Sequence, residues 1–416
     1  DQFPAYHDLK YNTSPTLISD VRNRLSPTEA LIEYFVTDSI IYIISIDHSK
    51  TFVDTVHWDA RLTQSLNNLL ASLIDPTGGE TAGSREFYFA IVRDSHFIYQ
   101  RILRPALARL TTKDLTIIAD GKLSYLPFEV LATSPAITDA PDYSRLPYLV
   151  RTYEIRYAYS ASLTLERMKP RSRYTQPFLG FAPSYNNMSE PGSFLAPLVH
   201  NRREVQEAAD IWGGQMFVDS DASEKAFKEN AVAANILHVA AHTVIDEIEY
   251  SNSGIAFLTE GQDDGFLYTY ELYAMDLNAD LAILSGCETG IGAEARGEGM
   301  RSLARAFKFA GCNSIVMSLW KVSDKAAREI MNEFHKNLKS GMEKDEALRQ
   351  AKLTYLDNSQ VVSPFYWSAF VLVGDDQPIN SSNRTLTFLI IIAGAILILA
   401  FVVRKKIMKP SRSVAA

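Results

Sequence analysis

Two residues of this chain, His242 and Cys287, carry side chains suited to nucleophilic acyl transfer. Each follows a short apolar run, residues 236–241 (ILHVAA) and 281–284 (LAIL), that is typical of a buried strand. Ligands of an open α/β sheet bind beyond the carboxyl ends of its strands, so both residues are expected at that edge. An imidazole beside a thiol favours the thiolate by ion pairing. The pair is therefore a candidate catalytic dyad.

The loop around the thiol has the composition of a substrate-flanking segment. Gly286 precedes Cys287, and a glycine there permits close approach of a bound chain. Residues 293–299 (AEARGEG), which include Arg296, are polar and typical of a surface loop. Taken alone, Cys287 is equally consistent with a buried structural cysteine, and His242 with a hydrogen-bonded histidine at a strand end.

The neighbouring cysteine and histidine indicate structural roles. Cys312 leads into a buried strand and is interpreted as a core residue. His238 lies four residues before His242, a spacing that on a strand separates two side chains by roughly 13 Å. No further Cys or His completes a metal site, and no Gly-x-Ser-x-Gly motif offers a serine nucleophile. We predict neither a metal nor an organic cofactor.

Composition narrows the class of protein. The 416 residues indicate one large or two fused α/β domains. A net charge of -8, with no basic stripe before the C-terminus, argues against a nucleic-acid surface. The two cysteines imply no disulfide framework. Because the sequence begins at Asp1, we interpret it as a piece of a longer product.

Strands alternating with helices predict an α/β fold with a mainly parallel sheet covered by helices on both faces. The predicted divisions are the end of a preceding region at 1–25, an α/β N-terminal half at 26–172, a second half at 173–376, a transmembrane helix at 385–403 and a basic tail at 404–416. A hairpin is expected within residues 29–46. The other predicted elements include helices at 55–73, 86–110, 201–212, 299–310 and 324–340, a helix opening at 126–128, and strands at 254–258, 281–284 and 314–318.

Residues 385–403 (TLTFLIIIAGAILILAFVV) carry no charge over about 19 residues, enough to cross a bilayer. Arg404, Lys405 and Lys406 follow at once. The positive-inside rule then predicts a single-pass protein of the cytoplasmic membrane, with a cytoplasmic tail and the large domain outside, in the periplasm.

Five ordered motifs carry a family resemblance. They are residues 115–131 (LTIIADGKLSYLPFEVL), 236–243 (ILHVAAHT), 281–290 (LAILSGCETG), 297–320 (GEGMRSLARAFKFAGCNSIVMSLW) and 364–374 (PFYWSAFVLVG). Together they resemble the CHAT domain, a caspase-like peptidase module often found with tetratricopeptide repeats. The resemblance implies a caspase–haemoglobinase fold related to separase, in which residues 26–172 form a pseudo-caspase half.

The resemblance also implies roles for individual residues. His242 would be the general base and Cys287 the nucleophile, and the backbone N–H groups of Cys287 and Thr243 would form the oxyanion hole. The family usually has glycine directly after the histidine, where this chain has Thr243. The implied partners are a protein substrate and a regulatory protein bound by repeats upstream of the chain.

Four further residues are candidates for the cleft. Related metacaspases carry an acidic residue two positions before the cysteine, where this chain has Ser285, so a preference for basic residues is not carried over. Glu288 follows the nucleophile and fits the family pattern. Asp246 and Glu247 would line the cleft, orient His242 or form a solvated loop face.

Three functions are compatible with these residues. The first is a membrane-anchored cysteine endopeptidase that cleaves a protein partner after activation. The second is a catalytically silent scaffold or signalling module on the same fold. The third is an acyltransferase or transpeptidase, which would differ only in the nucleophile that resolves the thioester.

Overall fold

The computed structural model describes residues 16–74, 85–135, 140–165, 174–185, 195, 197–244, 246, 252–261, 263–286, 294–295, 299–300 and 303–379. Its centre is an 11-stranded sheet. The strands of this sheet are β1 Glu29–Val36, β2 Ile40–Asp47, β3 Thr51–His57, β4 Asp114–Ile118, β5 Glu154–Tyr157, β6 Gln176–Pro183, β7 Gln215–Asp219, β8 Ala234–Val239, β12 Leu281–Leu284, β15 Ser314–Ser318 and β16 Phe370–Gly374. Their order across the sheet is β3-β2-β1-β4-β5-β16-β15-β12-β8-β6-β7.

Two smaller sheets accompany it. One has three strands, β9 Thr243–Val244, β10 Gly254–Ala256 and β11 Phe266–Tyr268, and the other is the pair β13 Glu294–Ala295 and β14 Gly299–Met300.

The helices within the described residues are α1 Ile18–Arg24, α2 Ala60–Ile74, α3 Arg85–Ile98, α4 Arg104–Leu107, α5 Ala161–Leu165, α6 Asn201–Trp212, α7 Glu224–Asn230, α8 Thr269–Ala274, α9 Leu303–Phe309, α10 Asp324–Ser340, α11 Lys344–Asn358 and α12 Pro364–Trp367. Single helical turns of 3-10 or π type complete the described chain at Tyr99–Leu103, Gly121–Tyr125, Phe128–Val130, Tyr143–Arg145, Leu149–Arg151 and Ala231–Ala233.

Most strand pairs in the large sheet are parallel, which confirms the predicted mixed α/β fold. Strands β7, β6, β8, β12 and β15 run parallel as neighbours, as do β1, β4 and β5. The hairpin β1–β2 is antiparallel as predicted, β3 extends it, and β16 is antiparallel to β15.

Every residue of β8, β12 and β15 is buried, because helices cover both faces of the sheet there. His238 of β8 meets His335 of α10 on one face. Phe181 of β6 packs on Phe227 of α7 on the other. Apolar strands packed in this way place their carboxyl ends at fixed positions.

Four of the predicted elements differ in the structure. The predicted helix at 55–73 begins only at Ala60, because residues 55–57 finish β3, whose alternating burial marks an edge strand. The helix expected to open at 126–128 is a single 3-10 turn, Phe128–Val130, with Pro127 extended before it. The strand at 254–258 is the shorter β10, which lies in the small sheet. Residues 299–300 form β14, and the helix α9 begins at Leu303.

Candidate active site

The two strands that lead to the candidate dyad are direct neighbours. β8 and β12 pair in parallel with Val239 beside Leu284. The chain stays paired beyond that point, since the N–H of Ser285 donates to the carbonyl of Val239 at 3.1 Å. His242 lies three residues after the end of β8, and Cys287 lies three residues after the end of β12. The two strands that precede the candidate residues therefore end side by side.

Gly286 fixes how closely these two segments approach. A Cβ at this position would lie 1.9 Å from the carbonyl oxygen of Ala241, far inside any real contact distance, and 3.5 Å from Cγ2 of Thr243. The residue before Cys287 thus lies directly against the residue before His242. Only glycine fits this contact.

The end of β15 holds the same segment from the other side. The buried hydroxyl of Ser318, the last residue of β15, donates to the carbonyl of Gly286. Three adjacent strand ends, those of β8, β12 and β15, therefore meet at Gly286. Cys287, Glu288 and Arg296 lie outside the described residues, so their roles stay predictions.

His242 is held by its backbone and by an aromatic ring. It is buried, with 6% of its surface exposed. Its N–H donates to the hydroxyl of Tyr185 at 2.9 Å, and the two rings lie 4.6 Å apart. Tyr185 in turn donates to the carbonyl of Ala256 at 2.8 Å, whose N–H donates to the carbonyl of His242 at 2.9 Å. This closed set of bonds fixes the main chain of His242.

Tyr185 was not among the residues predicted from the sequence. It follows β6 by two residues, and β6 is the strand next to β8. Like His242, Tyr185 is a polar residue just past the carboxyl end of its strand. A search for polar residues at such positions would have selected it.

Thr243 lies in β9 opposite Ile255. The N–H of Ala256 donates to the carbonyl of His242, so these two residues form a hydrogen-bonded pair. Hydrogen-bonded and non-hydrogen-bonded pairs alternate along antiparallel strands, so the N–H of Thr243 points away from β10. This orientation is compatible with the oxyanion role that the family resemblance implies. Asp246 lies beyond β9, where its N–H donates to Oγ of Ser253 at 2.9 Å and its carboxylate accepts from Asn252 at 3.4 Å. Glu247 lies outside the described residues.

A buried chain of polar side chains lies behind the strand ends. Nε1 of Trp212 donates to Nδ1 of His335 at 3.0 Å, and Nε2 of His335 lies 3.0 Å from Nδ1 of His238. Nε2 of His238 lies 2.8 Å from Oε1 of Glu204 and 3.3 Å from Oγ of Ser285. We call Trp212, His335, His238 and Glu204 the buried relay.

The hydrogen bonds of the relay are all donated in one direction, from Trp212 toward Glu204. An indole can only donate, so Nδ1 of His335 accepts and its proton lies on Nε2. His238 then accepts at Nδ1 and donates from Nε2 to the Glu204 carboxylate. Burial, with His238 beside it, holds the pKa of His335 well below its usual 6.5. Both nitrogens of His238 are hydrogen-bonded within this chain of side chains, which gives the residue a structural role.

The second cysteine is a core residue, as predicted. Cys312 is buried, and burial raises the pKa of its thiol to about 12. Such a thiol is almost entirely protonated at neutral pH and is unreactive.

Comparison with known proteins identifies the family. Residues 93–375 match the CHAT domain, and the chain therefore belongs to the CHAT domain family. Tetratricopeptide repeat protein 28 of Homo sapiens is 21% identical over 375 residues, and that of Mus musculus is 27% identical over 383 residues. Each alignment covers 78% of this chain but only 15% of the relative, so the chain spans a small part of these proteins.

The fold also resembles a solved structure. The separase of Saccharomyces cerevisiae, solved in complex with securin, superposes with a TM-score of 0.51 at 10% identity, over 85% of this chain and 30% of that one. The predicted relation to separase is therefore confirmed for the fold. Among the described residues no helix is long and apolar enough to cross a membrane, and residues 385–403 lie outside them.

Proposed function

We propose that this chain is a cysteine endopeptidase in which His242 and Cys287 form the catalytic dyad. The imidazole of His242 takes the proton of the Cys287 thiol, and the thiolate attacks a peptide carbonyl carbon. A carbon–sulfur bond forms, the peptide C–N bond breaks, and His242 returns its proton to the leaving amine. Water, deprotonated by the same imidazole, then hydrolyses the thioester and regenerates the thiol.

One observation supports this proposal above the others, the contact between Gly286 and the carbonyl of Ala241. Neighbouring residues of an extended chain are 3.8 Å apart. His242 and Cys287 each follow this contact by one residue in the sequence, which supports a thiol–imidazole pair between them. Such a pair needs no metal or organic cofactor.

Cleavage of a complex peptide mixture tests the activity and needs no defined substrate. The full chain and its Cys287→Ala and His242→Ala variants are incubated with peptides prepared from a whole proteome, and new termini are identified by mass spectrometry. We expect new termini with the unmodified chain alone. If the Cys287→Ala variant produces the same termini, the proposed dyad is wrong.

A silent scaffold on the same fold is the second candidate. The observation that favours it is Thr243, a β-branched residue in the paired strand β9 at the position where the family usually has glycine. The Thr243→Gly variant separates the two functions. A scaffold gains no cleavage from this change, whereas a peptidase limited by its oxyanion geometry gains turnover.

Partner binding and membrane attachment complete the proposal. The matched relatives are named as tetratricopeptide repeat proteins, which supports repeats upstream of this chain that bind a regulatory protein. Residues 385–403 and the basic residues after them support anchoring in a bilayer, with the large domain on the side opposite the tail. Retention of the chain in membranes after alkaline carbonate washing, and its release on deletion of residues 385–403, would test the anchor.

A further inference from the structure

The small sheet that follows His242 has a buried face and an outer face. Strands β9, β10 and β11 are antiparallel, with Val244 opposite Gly254 and Gly254 opposite Tyr268. The inner face carries Ile255 and Leu267, both buried. Paired residues of a sheet point to the same side, so Val244 and Tyr268 share the outer face.

The same register reaches the candidate base. The N–H of Ala256 donates to the carbonyl of His242, which continues the pairing of β9 with β10 by one residue. His242 and Val244 are two residues apart in extended chain, so their side chains leave the same face. The outer face of the small sheet therefore begins at the candidate active site.

Aromatic side chains extend this face away from His242. The rings of Phe266 and Tyr268 meet edge to face at 4.7 Å, and those of Tyr268 and Tyr270 stack at 5.2 Å and 13°. Val244 is 43% exposed and Tyr270 is 52% exposed. We call Val244, Phe266, Tyr268 and Tyr270 the aromatic strip.

Gly254 makes room for the strip to lie flat. A Cβ at Gly254 would lie 2.7 Å from Cε1 of Phe266, so the phenylalanine ring packs directly over the glycine backbone. With strands about 4.8 Å apart, the strip reaches about 10 Å from β9 to β11. This is the scale of a few side chains of an extended peptide.

The charge beside the strip is negative. Phe266 donates its N–H to Oδ1 of Asp264 at 2.9 Å, which places that carboxylate at the strip. Burial, followed by the charge of Asp264, raises the pKa of Tyr268. The charges that act on Tyr270 are the carboxylates of Glu271, Asp264 and Glu224 and the ammonium of Lys228. Lys228 is ion-paired with Glu271 and Glu224, so the carboxylates still exceed the cation in number. A cationic segment is complementary to this arrangement.

We infer that the aromatic strip is a docking surface for an extended segment of the protein substrate, one that alternates apolar and basic side chains. The inference rests on the proposed function, since it identifies the segment as part of the molecule that is cleaved. Its support is continuity with the His242 segment, the exposed stacked rings and the excess of carboxylates. Apolar side chains would lie on the rings, and basic ones would meet Asp264.

The test is a binding measurement by fluorescence anisotropy, in the Cys287→Ala background so that no peptide is consumed. The probes are three labelled peptides of about ten residues, which span about 33 Å when extended. They alternate leucine with arginine, leucine with glutamate, and serine with arginine. We expect binding of the first, weaker by about ten-fold when Tyr270 is changed to serine.

Tyr174→Ser is the matched control, because this tyrosine is 42% exposed but lies at the start of β6. It should bind the leucine–arginine peptide as the parent does, with thermal melting confirming that all variants fold. Absence of binding, equal binding of the glutamate or serine peptides, or equal loss in the Tyr174→Ser and Tyr270→Ser variants would overturn the inference. Binding does not require the thiol, so failure of the dyad in the cleavage assay is a separate result.

Discussion

At Gly286 one missing methyl group decides whether two strand ends meet. The carbonyl of Ala241 occupies the volume that any side chain would need, and Ser318 fixes the carbonyl of Gly286 from the far side. An L-residue can enter only by pushing the chains before His242 and Cys287 apart. Local geometry of this kind, rather than the identity of the reactive residues alone, positions a dyad.

Gly286→Ala should therefore damage the site more than the fold. We expect a loss of about 1–3 kcal/mol in the free energy of unfolding, as for other overpacked sites, and a large fall in the alkylation rate of Cys287. Gly213→Ala is the control, since Gly213 has φ of +70° with open space around it. It should lose about 1 kcal/mol with the alkylation rate unchanged. Equal alkylation of Cys287 in both variants would show that Gly286 does not position the thiol.

The strand that leads to His242 was predictable from the sequence, but the hydrogen bond between His242 and Tyr185 was not. His242 could be predicted because it follows the mainly apolar run at 236–241. The position of Tyr185 after a strand marks it as a candidate, but its contact with His242 depends on the pairing of β6 with β8, which no local pattern contains. The same is true of the contact between Gly286 and Ala241.

At the scale of elements, the buried relay joins α6, β8 and α10. Trp212 and Glu204 belong to α6, His238 to β8 and His335 to α10. The hydrogen bonds from Trp212 through the two imidazoles to Glu204 fix the relative placement of the three elements. Ser285 lies against this chain, so the relay supports the segment that leads to Cys287.

The relay predicts the tautomer of His335. Nitrogen NMR should show His335 with its proton on Nε2, and it should remain neutral at about pH 5.5 because burial lowers its pKa below 6.5. The unfolded chain takes up that proton first, so this group contributes stability that is present above pH 6.5 and declines as the pH falls below it. A His335→Gln variant assigns the signal. A charged His335 imidazole at pH 5.5 in the folded protein would contradict this account.

Element predictions failed where elements are short and lie outside the large sheet, or at its edge. The strands β9 and β10 have two and three residues, too few for any period to be detected, and the small sheet was therefore missed. The end of β3 was predicted as the start of a helix because the apolar residues at 53 and 56 have helical spacing, although in β3 they lie on opposite faces. The elements β12, β15, α6 and α10 have the predicted bounds.

At the scale of the whole molecule, ion pairs join the N-terminal strands to the C-terminal helices. The guanidinium of Arg156, on β5, forms ion pairs with Asp376 at 2.6 Å, Asp345 at 3.2 Å, Asp114 at 2.9 Å and Glu29 at 2.6 Å. Three of these carboxylates, Glu29, Asp114 and Asp376, are spaced closely enough to hold a cation, and the guanidinium of Arg156 lies among them. These contacts cross the division predicted between residues 172 and 173, which stays a prediction.

A second buried pair should be essential to stability. Nζ of Lys352 on α11 bonds Glu129 at 2.9 Å, and both residues are buried. The hydroxyl of Tyr157 also donates to Glu129. Lys352→Met leaves a buried carboxylate without its cation and should lower the free energy of unfolding by about 3–5 kcal/mol.

The matched variant for this pair also removes the carboxylate. Lys352→Met combined with Glu129→Gln should recover a substantial part of the loss in urea unfolding, since no charge of the pair remains buried. A single variant as stable as the parent would show that Glu129 does not need Lys352.

The cluster around Arg156 predicts a pH dependence. Burial raises the pKa of Asp114 from 3.8 to about 7, with Arg156 opposing the shift and Asp345, Asp376 and Glu29 adding to it. The folded protein therefore binds a proton that the unfolded chain does not bind until the pH falls to about 4. This contribution to stability is present at low pH and is lost as the pH rises through 7, with a slope of at most about 1.4 kcal/mol per pH unit.

Urea unfolding at several pH values between about 5 and 8 checks this dependence. The Asp114→Asn variant should lose part of this pH dependence of stability. The Asp357→Asn variant should keep it, because the side chain of Asp357 is 61% exposed. Identical pH profiles for Asp114→Asn and the parent chain would contradict the assignment.

The overall architecture was predictable from the sequence because alternating strands and helices permit few arrangements. The insertion of β16 between β5 and β15 was not, because it depends on a long-range pairing such as that of Val373 with Tyr157. This placement unites the two halves in one sheet. It also gives the N-terminal half a direct role in supporting β15, which holds Gly286 through Ser318.

The central claim, a working pair of His242 and Cys287, is tested most directly by alkylation of the full chain with iodoacetamide at several pH values, followed by peptide mapping. Cys312, with its pKa raised to about 12, is an internal control that should react slowly throughout. The account predicts fast labelling of Cys287 well below the free-thiol pKa of about 8.5, and a shift of that profile up to about 8.5 in the His242→Ala variant. A Cys287 profile that is the same in both proteins would contradict the dyad.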